Sequence, residues 1–173
     1  MILKKHITLC GMPGSGKSTV GKHLAKRLKT KFVDLDAFVE ENEQMTIPEI
    51  FKGKGEAAFR EMEMRYLSLL LRQEPAIIAL GGGALASEGL FELASELSDL
   101  VYISVELPTL IFRLKDERAV RPLLSAPEWE GRLAELEQSR RPVFERVKWK
   151  IDGEMTVEEI VERIVKQVES LWE

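Results

Sequence analysis

The 173-residue sequence has a single cysteine, Cys10. One thiol cannot form an internal disulfide or a zinc site built from several thiolates, so a reducing compartment suits the chain best. No run approaches the 18 or so apolar residues that a membrane span requires. The apolar residues after Lys4 and Lys5 end at Gly11 and Pro13, too early for the core of a signal peptide. We therefore expect a soluble cytoplasmic protein with no membrane partner.

An excess of positive charge is also missing, since 25 Lys and Arg stand against 29 Asp and Glu, a net charge of -4. Nucleic-acid binders neutralise phosphates with a basic face, so this balance argues against a nucleic-acid partner. The sequence contains no internal repeat, low-complexity tract or Ser/Pro-rich linker. A chain of this length normally forms one hydrophobic core, so we expect a single domain over residues 1–173.

Short apolar runs alternate with stretches of helical periodicity, the pattern typical of an α/β domain with a parallel sheet. The runs predict five buried strands, at residues 6–10, 31–35, 76–80, 100–105 and 147–151. Thr46 with Glu49 and Thr156 with Glu159 have the spacing of capping boxes, so each pair predicts the start of a helix.

A phosphate-binding loop follows the first predicted strand. Gly-Met-Pro-Gly-Ser-Gly-Lys-Ser, at residues 11–18, fits G-x-x-x-x-G-K-[ST] at every fixed position and precedes a predicted helix. Its backbone N–H groups and the helix N-terminus favour phosphate oxygens. Lys17 can reach the β- and γ-phosphates, and the Ser18 hydroxyl can bind Mg²⁺. The alternative is a Gly-rich turn without a ligand. The predicted nucleotide-binding residues are Gly14, Ser15, Gly16, Lys17, Ser18 and Thr19.

Such a loop indicates nucleotide binding but leaves the reaction open. The sequence has neither the Asp-x-x-Gly nor the Asn-Lys-x-Asp that a GTPase needs, and it is short for a motor ATPase. A compact phosphotransferase is the most economical interpretation.

Two carboxylates, Asp34 and Asp36, end the second predicted strand. Alternation places both on one side of the chain, near the edge of the sheet where α/β proteins bind ligands. One carboxylate can hold water around Mg²⁺, and the other can accept a hydrogen bond from an attacking hydroxyl and take its proton. The alternative is that Asp36 only caps a helix that begins at Ala37.

Further along the chain, Arg60 and Glu63 are helical neighbours off the apolar stripe, so the acid can orient the guanidinium to bind a carboxylate through two hydrogen bonds. A solvated surface ion pair is the alternative. Arg140 and Arg141 lie in a predicted helix over residues 132–146, and one of them can supply a second cationic contact. Three successive glycines, at residues 81–83, indicate either close approach of a ligand to the backbone or a tight turn.

The segment 116–130 has two prolines, mixed charge and no sustained periodicity. We expect it to form a mobile loop or lid; an ordinary surface loop is the alternative.

Taken together, these motifs resemble the shikimate kinase family over nearly the whole chain. The segments that carry the resemblance are residues 11–19, 34–36, 47–51, 55–60, 80–84, 121–124 and 140–144. The resemblance implies a three-layer P-loop fold with a five-stranded parallel sheet in the order 2-3-1-4-5, helices on both faces and a lid. It also implies an acceptor-binding subregion near residues 36–63, a lid near 114–127 and a monomeric protein.

The activity implied by the resemblance is transfer of the γ-phosphoryl group of ATP to the 3-hydroxyl of shikimate, on the route to chorismate and aromatic amino acids. Lys17, Asp36 and Arg121 then match the catalytic positions: Asp36 binds the ring hydroxyls and is the candidate base, and Arg121 is the lid arginine that closes over the phosphates. Ser18 and, through water, Asp34 match the Mg²⁺ positions.

For shikimate itself, the resemblance implies that Arg60 and Arg140 bind the carboxylate, while the backbone of Gly81, Gly82 and Gly83 contacts the substrate. Other positions around the pocket are Phe51, Phe59 and Glu63. Many family members have an arginine seven residues before the lid Arg-Pro-Leu-Leu. In this sequence that position is Leu114, with Arg113 beside it. The loop after the last predicted strand reads Asp-Gly-Glu-Met at 152–155.

Two other functions remain open. One is a gluconate-type sugar-acid kinase, which shares the phosphate-binding loop and also needs arginine for a carboxylate. The other is a nucleotide-binding regulatory module without transfer activity, which would bind ATP but show no turnover that depends on shikimate.

Overall fold

A computed structural model describes residues 3–116 and 127–172 of the chain. Its centre is a five-stranded sheet in which every adjacent pair is parallel and the order is β2-β3-β1-β4-β5. This is the order that the resemblance implies. The strands are β1 (His6–Cys10), β2 (Phe32–Asp34), β3 (Ile77–Ala79), β4 (Ser98–Ser104) and β5 (Trp149–Asp152).

Seven α-helices connect or follow these strands in the described residues. They are α1 (Lys17–Leu28), α2 (Leu35–Glu43), α3 (Ile47–Leu70), α4 (Glu88–Leu97), α5 (Leu107–Leu114), α6 (Trp129–Glu145) and α7 (Val157–Trp172), and a short 3₁₀ helix (Ala84–Ala86) precedes α4. Helix α3 bends at Gly55, whose φ of 85° lies outside the helical region.

The central strand β1 is buried along its whole length, which requires layers over both faces of the sheet. Residues Ile7 and Leu9, which point to one face, are fully buried, and so is Thr8, which points to the other. Helix α1 packs against α7 and against β1 to β3, whereas α4 packs against β4 and α3. The predicted three-layer arrangement is therefore confirmed.

Both predicted capping boxes are present. The Thr46 Oγ1 accepts a hydrogen bond from the Glu49 N–H, and a Glu49 carboxylate oxygen accepts one of 2.7 Å from the Thr46 N–H. Thr156 and Glu159 make the same reciprocal bonds at the start of α7. Since each box satisfies two backbone donors that the helix leaves unpaired, these helices begin where the sequence indicates.

The strand predictions are right in number and position but not in every boundary. The second strand is shorter than predicted and ends at Asp34, because α2 begins immediately afterwards. The helix predicted over 132–146 begins earlier, at Trp129, whose side chain is 5% exposed. Residues 117–126 of the expected lid lie outside the described residues. In the part of the chain that is described, no helix is both long and apolar enough to cross a membrane.

The register brings three chain segments to one edge of the sheet. Leu9 of β1 pairs with Ala79 of β3, and Asp34 of β2 pairs with that same alanine. Because the strands are parallel, the segments that leave their carboxyl ends emerge side by side. These segments are the phosphate-binding loop, the start of α2 and the three glycines at 81–83.

Candidate active site

The phosphate-binding loop turns tightly between β1 and α1. Gly14 and Gly16 have φ values of 80° and 91°, in the left-handed region that favours glycine, and Gly16 is the N-cap of α1. The Ser15 N–H donates to the Met12 carbonyl at 3.1 Å, which closes the turn. The predicted loop is therefore present, with the N-terminus of a twelve-residue helix behind it.

Lys17 lies inside this loop and is 9% exposed. Its Nζ donates to the carbonyl oxygens of Gly11 and Met12, each at 2.9 Å, and lies 3.4 Å from the Ser15 hydroxyl. The loop's own oxygens thus neutralise the ammonium at the position where phosphate oxygens are expected to bind. A triphosphate that enters would exchange these contacts for stronger, charge-assisted ones.

Ser18 and Asp34 are joined by a hydrogen bond of 2.6 Å from the Ser18 hydroxyl to a carboxylate oxygen. The other oxygen of Asp34 accepts from the N–H groups of Asp36 and Ala37, at 3.1 and 3.3 Å. Asp34 is therefore the N-cap of α2, and it presents one oxygen toward the phosphate-binding loop.

Asp36 lies in the first turn of α2, not on a strand. The strand alternation invoked for the two acids is therefore wrong, as is the alternative in which Asp36 caps a helix, because Asp34 is the cap. Both acids nevertheless line a cavity of about 690 Å³ together with Lys17, Ser18 and Gly82. They come together because the helix starts directly at the strand end, which leaves no room for a connecting loop.

Arg60 is anchored by two acids of its own helix. Its Nη1 donates to Glu63 at 2.5 Å and its Nη2 to Glu56 at 3.0 Å. The side chain of Glu63 is 0% exposed, so the contact is not the solvated surface ion pair that the sequence left open. The guanidinium is fixed in orientation, as a bidentate carboxylate contact requires.

Glu63 itself has an unusual environment. Its Oε1 accepts no hydrogen bond from the residues that the structure describes. Burial raises the pKa of Glu63 to about 7; the charge and hydrogen bond of Arg60 oppose this increase, and the nearby charge of Asp36 adds to it. The carboxyl group is therefore partly protonated near neutral pH.

Arg140 is the second cation of the pair and is 7% exposed. Burial, followed by the positive charge of Arg60, lowers its pKa to about 10. Within the described part of the chain it forms no hydrogen bond or salt bridge, whereas Arg141 pairs with Glu137 at 2.8 Å and is 60% exposed. Of the two predicted candidates, Arg140 is the one in the site.

Both guanidiniums lie against Gly83. A Cβ placed there would be 2.5 Å from Nη2 of Arg60 and 2.8 Å from Nη2 of Arg140. Two cations this close, one buried and one partly buried, repel each other, so the position favours an anion that binds both. This arrangement is the strongest chemical signal in the site.

The three glycines are explained by packing, which the sequence analysis did not anticipate. None of them has a positive φ, so a strained turn does not require glycine here. A Cβ at Gly81 would meet Asp36 at 2.6 Å and Glu63 at 3.0 Å, and one at Gly82 would meet the Pro13 ring at 2.6 Å. Hydrogen-bonded turns do begin at Gly81 and Gly83. The glycines thus allow the charged side chains of the site to approach the backbone.

The cavity is also lined by residues to which sequence reasoning assigned no role. Arg113 donates from Nη2 to the Gly153 carbonyl at 3.1 Å, and Met155 lines the same wall. Leu114 is fully buried under Gly14 and does not line the cavity. The position of the family arginine, counted back from the lid motif, is Leu114. The helical periodicity of α5 would instead have indicated its neighbour Arg113 as the residue that faces the cavity.

Two further predictions concern the pocket wall and the lid. The rings of Phe51 and Phe59 have centroids 5.1 Å apart, and the Arg60 guanidinium lies 5.4 Å from the centre of the Phe59 ring. The two aromatic residues thus belong to the same neighbourhood as the arginine pair. Arg121, the predicted lid arginine, lies outside the described residues.

Comparison with known proteins shows the relationship directly. A family model described as shikimate kinase matches residues 13–169. A curated shikimate kinase of Sulfurihydrogenibium sp. is 39% identical over 165 residues, which cover 95% of this chain and 98% of that protein. One of Aquifex aeolicus is 36% identical over 163 residues, covering 94% and 95% of the two chains.

Solved structures are similar as well. A shikimate kinase from Acinetobacter baumannii in complex with shikimate superposes with a TM-score of 0.91 at 30% identity, covering 96% of this chain and 93% of that one. The structure of the Aquifex aeolicus enzyme has a TM-score of 0.82 at 36% identity, with 95% and 96% covered.

The raised pKa of Glu63 predicts a measurable pH dependence of stability. The folded chain binds the Glu63 proton more tightly than the unfolded chain, so this group's contribution to the free energy of unfolding decreases as pH rises through about 7. Relative to Glu63→Gln, the native chain should lose roughly 2 kcal/mol between pH 5 and pH 8. Urea unfolding at the two pH values measures this difference, in which groups that do not interact with Glu63 cancel. Parallel pH profiles would contradict it.

Proposed function

The chain belongs to the shikimate kinase family, and from this premise we propose how its residues transfer the γ-phosphoryl group of ATP to the 3-hydroxyl of shikimate. The enzyme is a phosphotransferase with an alcohol acceptor, and its reaction gives 3-phosphoshikimate and ADP for chorismate and aromatic amino acid biosynthesis. The observation that carries the assignment is the pair of guanidiniums over Gly83, one buried (Arg140) and one partly buried (Arg60), because it supplies a carboxylate site beside a phosphate-binding loop.

The acceptor is bound at two points. Arg60 and Arg140 bind its carboxylate, with backbone contacts from Gly81, Gly82 and Gly83. Asp36 binds the ring hydroxyls, and its side chain lies close to Gly81, on the phosphate-loop side of the pocket. Binding at both ends of a rigid ring fixes its rotation and directs one hydroxyl at the nucleotide.

The nucleotide occupies the rest of the cavity. Gly14, Ser15, Gly16 and Thr19 surround the β- and γ-phosphates together with Lys17 and Ser18, and we assign the base to the wall of Arg113, Gly153 and Met155. In the transfer, the acceptor oxygen forms a bond to the γ-phosphorus while the bond to the bridging oxygen breaks. The electron pair stays on ADP, and Asp36 accepts the hydroxyl proton.

The charge that spreads over the transferred group is neutralised by Lys17 from the loop and, we propose, by Arg121 from a lid near residues 114–127. Positioning and electrostatic stabilisation account for most of the catalysis expected in this class of reaction. Closure of that segment would also exclude water, which competes with the acceptor for the phosphoryl group.

The residues present fit a magnesium ion. The Ser18 hydroxyl and the Asp34 carboxylate share a 2.6 Å hydrogen bond beside the loop, and both offer the hard oxygen ligands that Mg²⁺ prefers. Among the described residues no cluster of three or more acidic, His or Cys side chains could hold a metal by itself. We propose that Ser18 binds the ion directly and Asp34 through water. When bound, Mg²⁺ neutralises charge on the β- and γ-phosphate oxygens.

We also propose that the enzyme is monomeric and cytoplasmic. Residues of one chain supply both the phosphate-binding loop and the arginine pair, so no second copy is needed to build the described site. The buried Cys10 thiol, with its pKa raised to about 12 by burial, is a poor thiolate nucleophile. Residues 36–63 form the proposed acceptor-binding subregion within one domain, 1–173.

Release of ADP, measured with ATP, Mg²⁺ and either shikimate or gluconate, tests the function. We expect release that depends on shikimate. Turnover only with gluconate would favour the sugar-acid kinase, and tight ATP binding without turnover on either acceptor would favour a regulatory module.

Asp36→Asn tests the proposed base. The amide keeps the size of the side chain but cannot accept the proton, so turnover should fall by roughly 10²- to 10⁴-fold. The Kd for ATP should stay near that of the native enzyme, since Asp36 is assigned to the acceptor. Steady-state kinetics and nucleotide titration give the two numbers, and unchanged turnover would remove Asp36 from the mechanism.

Arg140→Lys tests the carboxylate site. An ammonium keeps the charge but cannot form two parallel hydrogen bonds, so the KM for shikimate should rise about tenfold or more with little change in the KM for ATP. Arg141→Lys is the matched control, because Arg141 is exposed and pairs within its own helix. A KM for shikimate that is the same in both variants would overturn the assignment.

A further inference from the structure

The C-terminal end of α6 is bonded to the start of α4. Arg146, the C-cap residue of α6, donates from Nη1 and Nη2 to the two carboxylate oxygens of Glu88, at 2.8 and 2.7 Å. The same guanidinium lies 3.9 Å from the centre of the Phe91 ring. Two parallel hydrogen bonds and a cation–π contact fix the guanidinium more strictly than a single surface ion pair does.

The two elements joined in this way carry the two halves of the carboxylate site. Helix α4 follows Gly83 after the single 3₁₀ turn Ala84–Ala86, and α6 carries Arg140. The gap between Arg140 and the Gly83 backbone therefore depends on how α6 lies against the start of α4. Arg146 and Glu88 bridge these elements directly on the protein surface.

Arg140 needs such support because its local interactions do not hold it. It is buried, the positive charge of Arg60 acts against it, and it has no hydrogen bond or salt bridge among the described residues. The charges of Glu56 and Glu63 attract it, but neither acid is hydrogen-bonded to it in the described part of the chain. Its position is set instead by the helix that carries it.

That helix is weakened next to Arg140. Pro142 lies inside α6 and has no N–H to donate to the carbonyl of Gln138, so one backbone hydrogen bond is missing there. Arg140 precedes the proline, on the side that the buried Leu133 anchors. Beyond the proline, Phe144 stacks on Tyr102, with ring centroids 4.9 Å apart, and Arg146 binds Glu88, so these contacts fix the C-terminal end of α6.

We propose that Arg146 and Glu88 are positioning residues for the acceptor site: by bonding α6 to α4 they hold the Arg140 guanidinium over Gly83 and so set the affinity for the substrate carboxylate. This inference rests on the proposed role of Arg140. Neither residue is assigned a contact with shikimate or ATP, and their effect is exerted through the separation of two helices.

The test is a pair of Arg→Gln variants on one helix. Arg141 also forms two hydrogen bonds with a glutamate, at 2.9 and 2.8 Å, and is similarly exposed, but its partner Glu137 belongs to α6 itself. We expect Arg146→Gln to raise the KM for shikimate about fivefold, with the KM for ATP changed less than about twofold. Arg141→Gln should leave both values near those of the native enzyme. Because KM does not depend on the amount of folded enzyme, partial loss of stability does not imitate this result.

Glu88→Gln separates positioning from simple electrostatics. Removing a negative charge should strengthen binding of a carboxylate if only the long-range field matters. If the contact positions Arg140, the same change should raise the KM for shikimate. The double variant should then be no worse than the worse single variant, since both changes break one contact. Arg146→Lys, which keeps the charge but not the fork, should lie between Arg146→Gln and the native enzyme.

Equal KM values for Arg146→Gln and Arg141→Gln, or a lower KM in Glu88→Gln, would overturn the proposal. Failure of the proposed function has a different signature, because the native enzyme would then release no ADP with shikimate. The two outcomes are therefore distinguishable in one set of assays.

Discussion

The acceptor half of the structure depends on holding two guanidiniums together away from water. Arg60 and Arg140 both lie against Gly83, and the pKa of Arg140 is lowered by burial and by its neighbour. Arg60 has Glu56 and Glu63 as partners, so its charge is balanced within the protein. Arg140 has no such partner among the described residues. Glu56 and Glu63 attract Arg140 without bonding to it among the described residues, so a substrate carboxylate can bond to it with little rearrangement.

This constraint explains why the neighbouring residues are small or acidic. Side chains on the 81–83 segment would occupy the space that the two arginines, Asp36 and Glu63 now fill. Glu63 is fully buried because it must reach under Arg60, and burial in turn raises its pKa toward neutrality.

The phosphate end of the cavity obtains its positive potential from different groups. There the positive potential comes mainly from backbone N–H groups and the N-terminus of α1, with Lys17 as the one long cation of the loop. The conformation of this turn is set by local hydrogen bonds and left-handed glycines, with Leu114 packed beneath Gly14. The contrast explains why a short local motif was enough to predict the nucleotide site. The carboxylate site depends on α3, α6 and the segment after β3, which are far apart in sequence.

The parts of the structure that were predictable are those governed by local rules. Capping boxes, the phosphate-binding loop and the number of strands follow from residues within a few positions of one another, and all of them are present. The relation of Asp34 to Asp36 was not predictable from such local rules. Strand alternation described this relation wrongly, because the side chain of Asp34 caps a helix that begins at the next residue, where a strand was expected to continue. Asp34 and Asp36 still lie close together, since a continued strand and a new helix would both keep them at the same edge of the sheet.

The choice between Arg140 and Arg141 shows what sequence reasoning lacks more generally. Both are arginines in the same helix, and periodicity alone does not say which one faces the glycine segment when a proline follows directly. The structure separates them by burial and by partner: Arg140 is nearly inaccessible and is hydrogen-bonded to no acid among the described residues, whereas Arg141 is exposed and bound to Glu137. Other arginines, such as Arg27 and Arg132, pair with acids on the surface. A buried cation without its own acid is therefore a better indicator of ligand binding than the overall charge, and it emerges only when distant segments pack together.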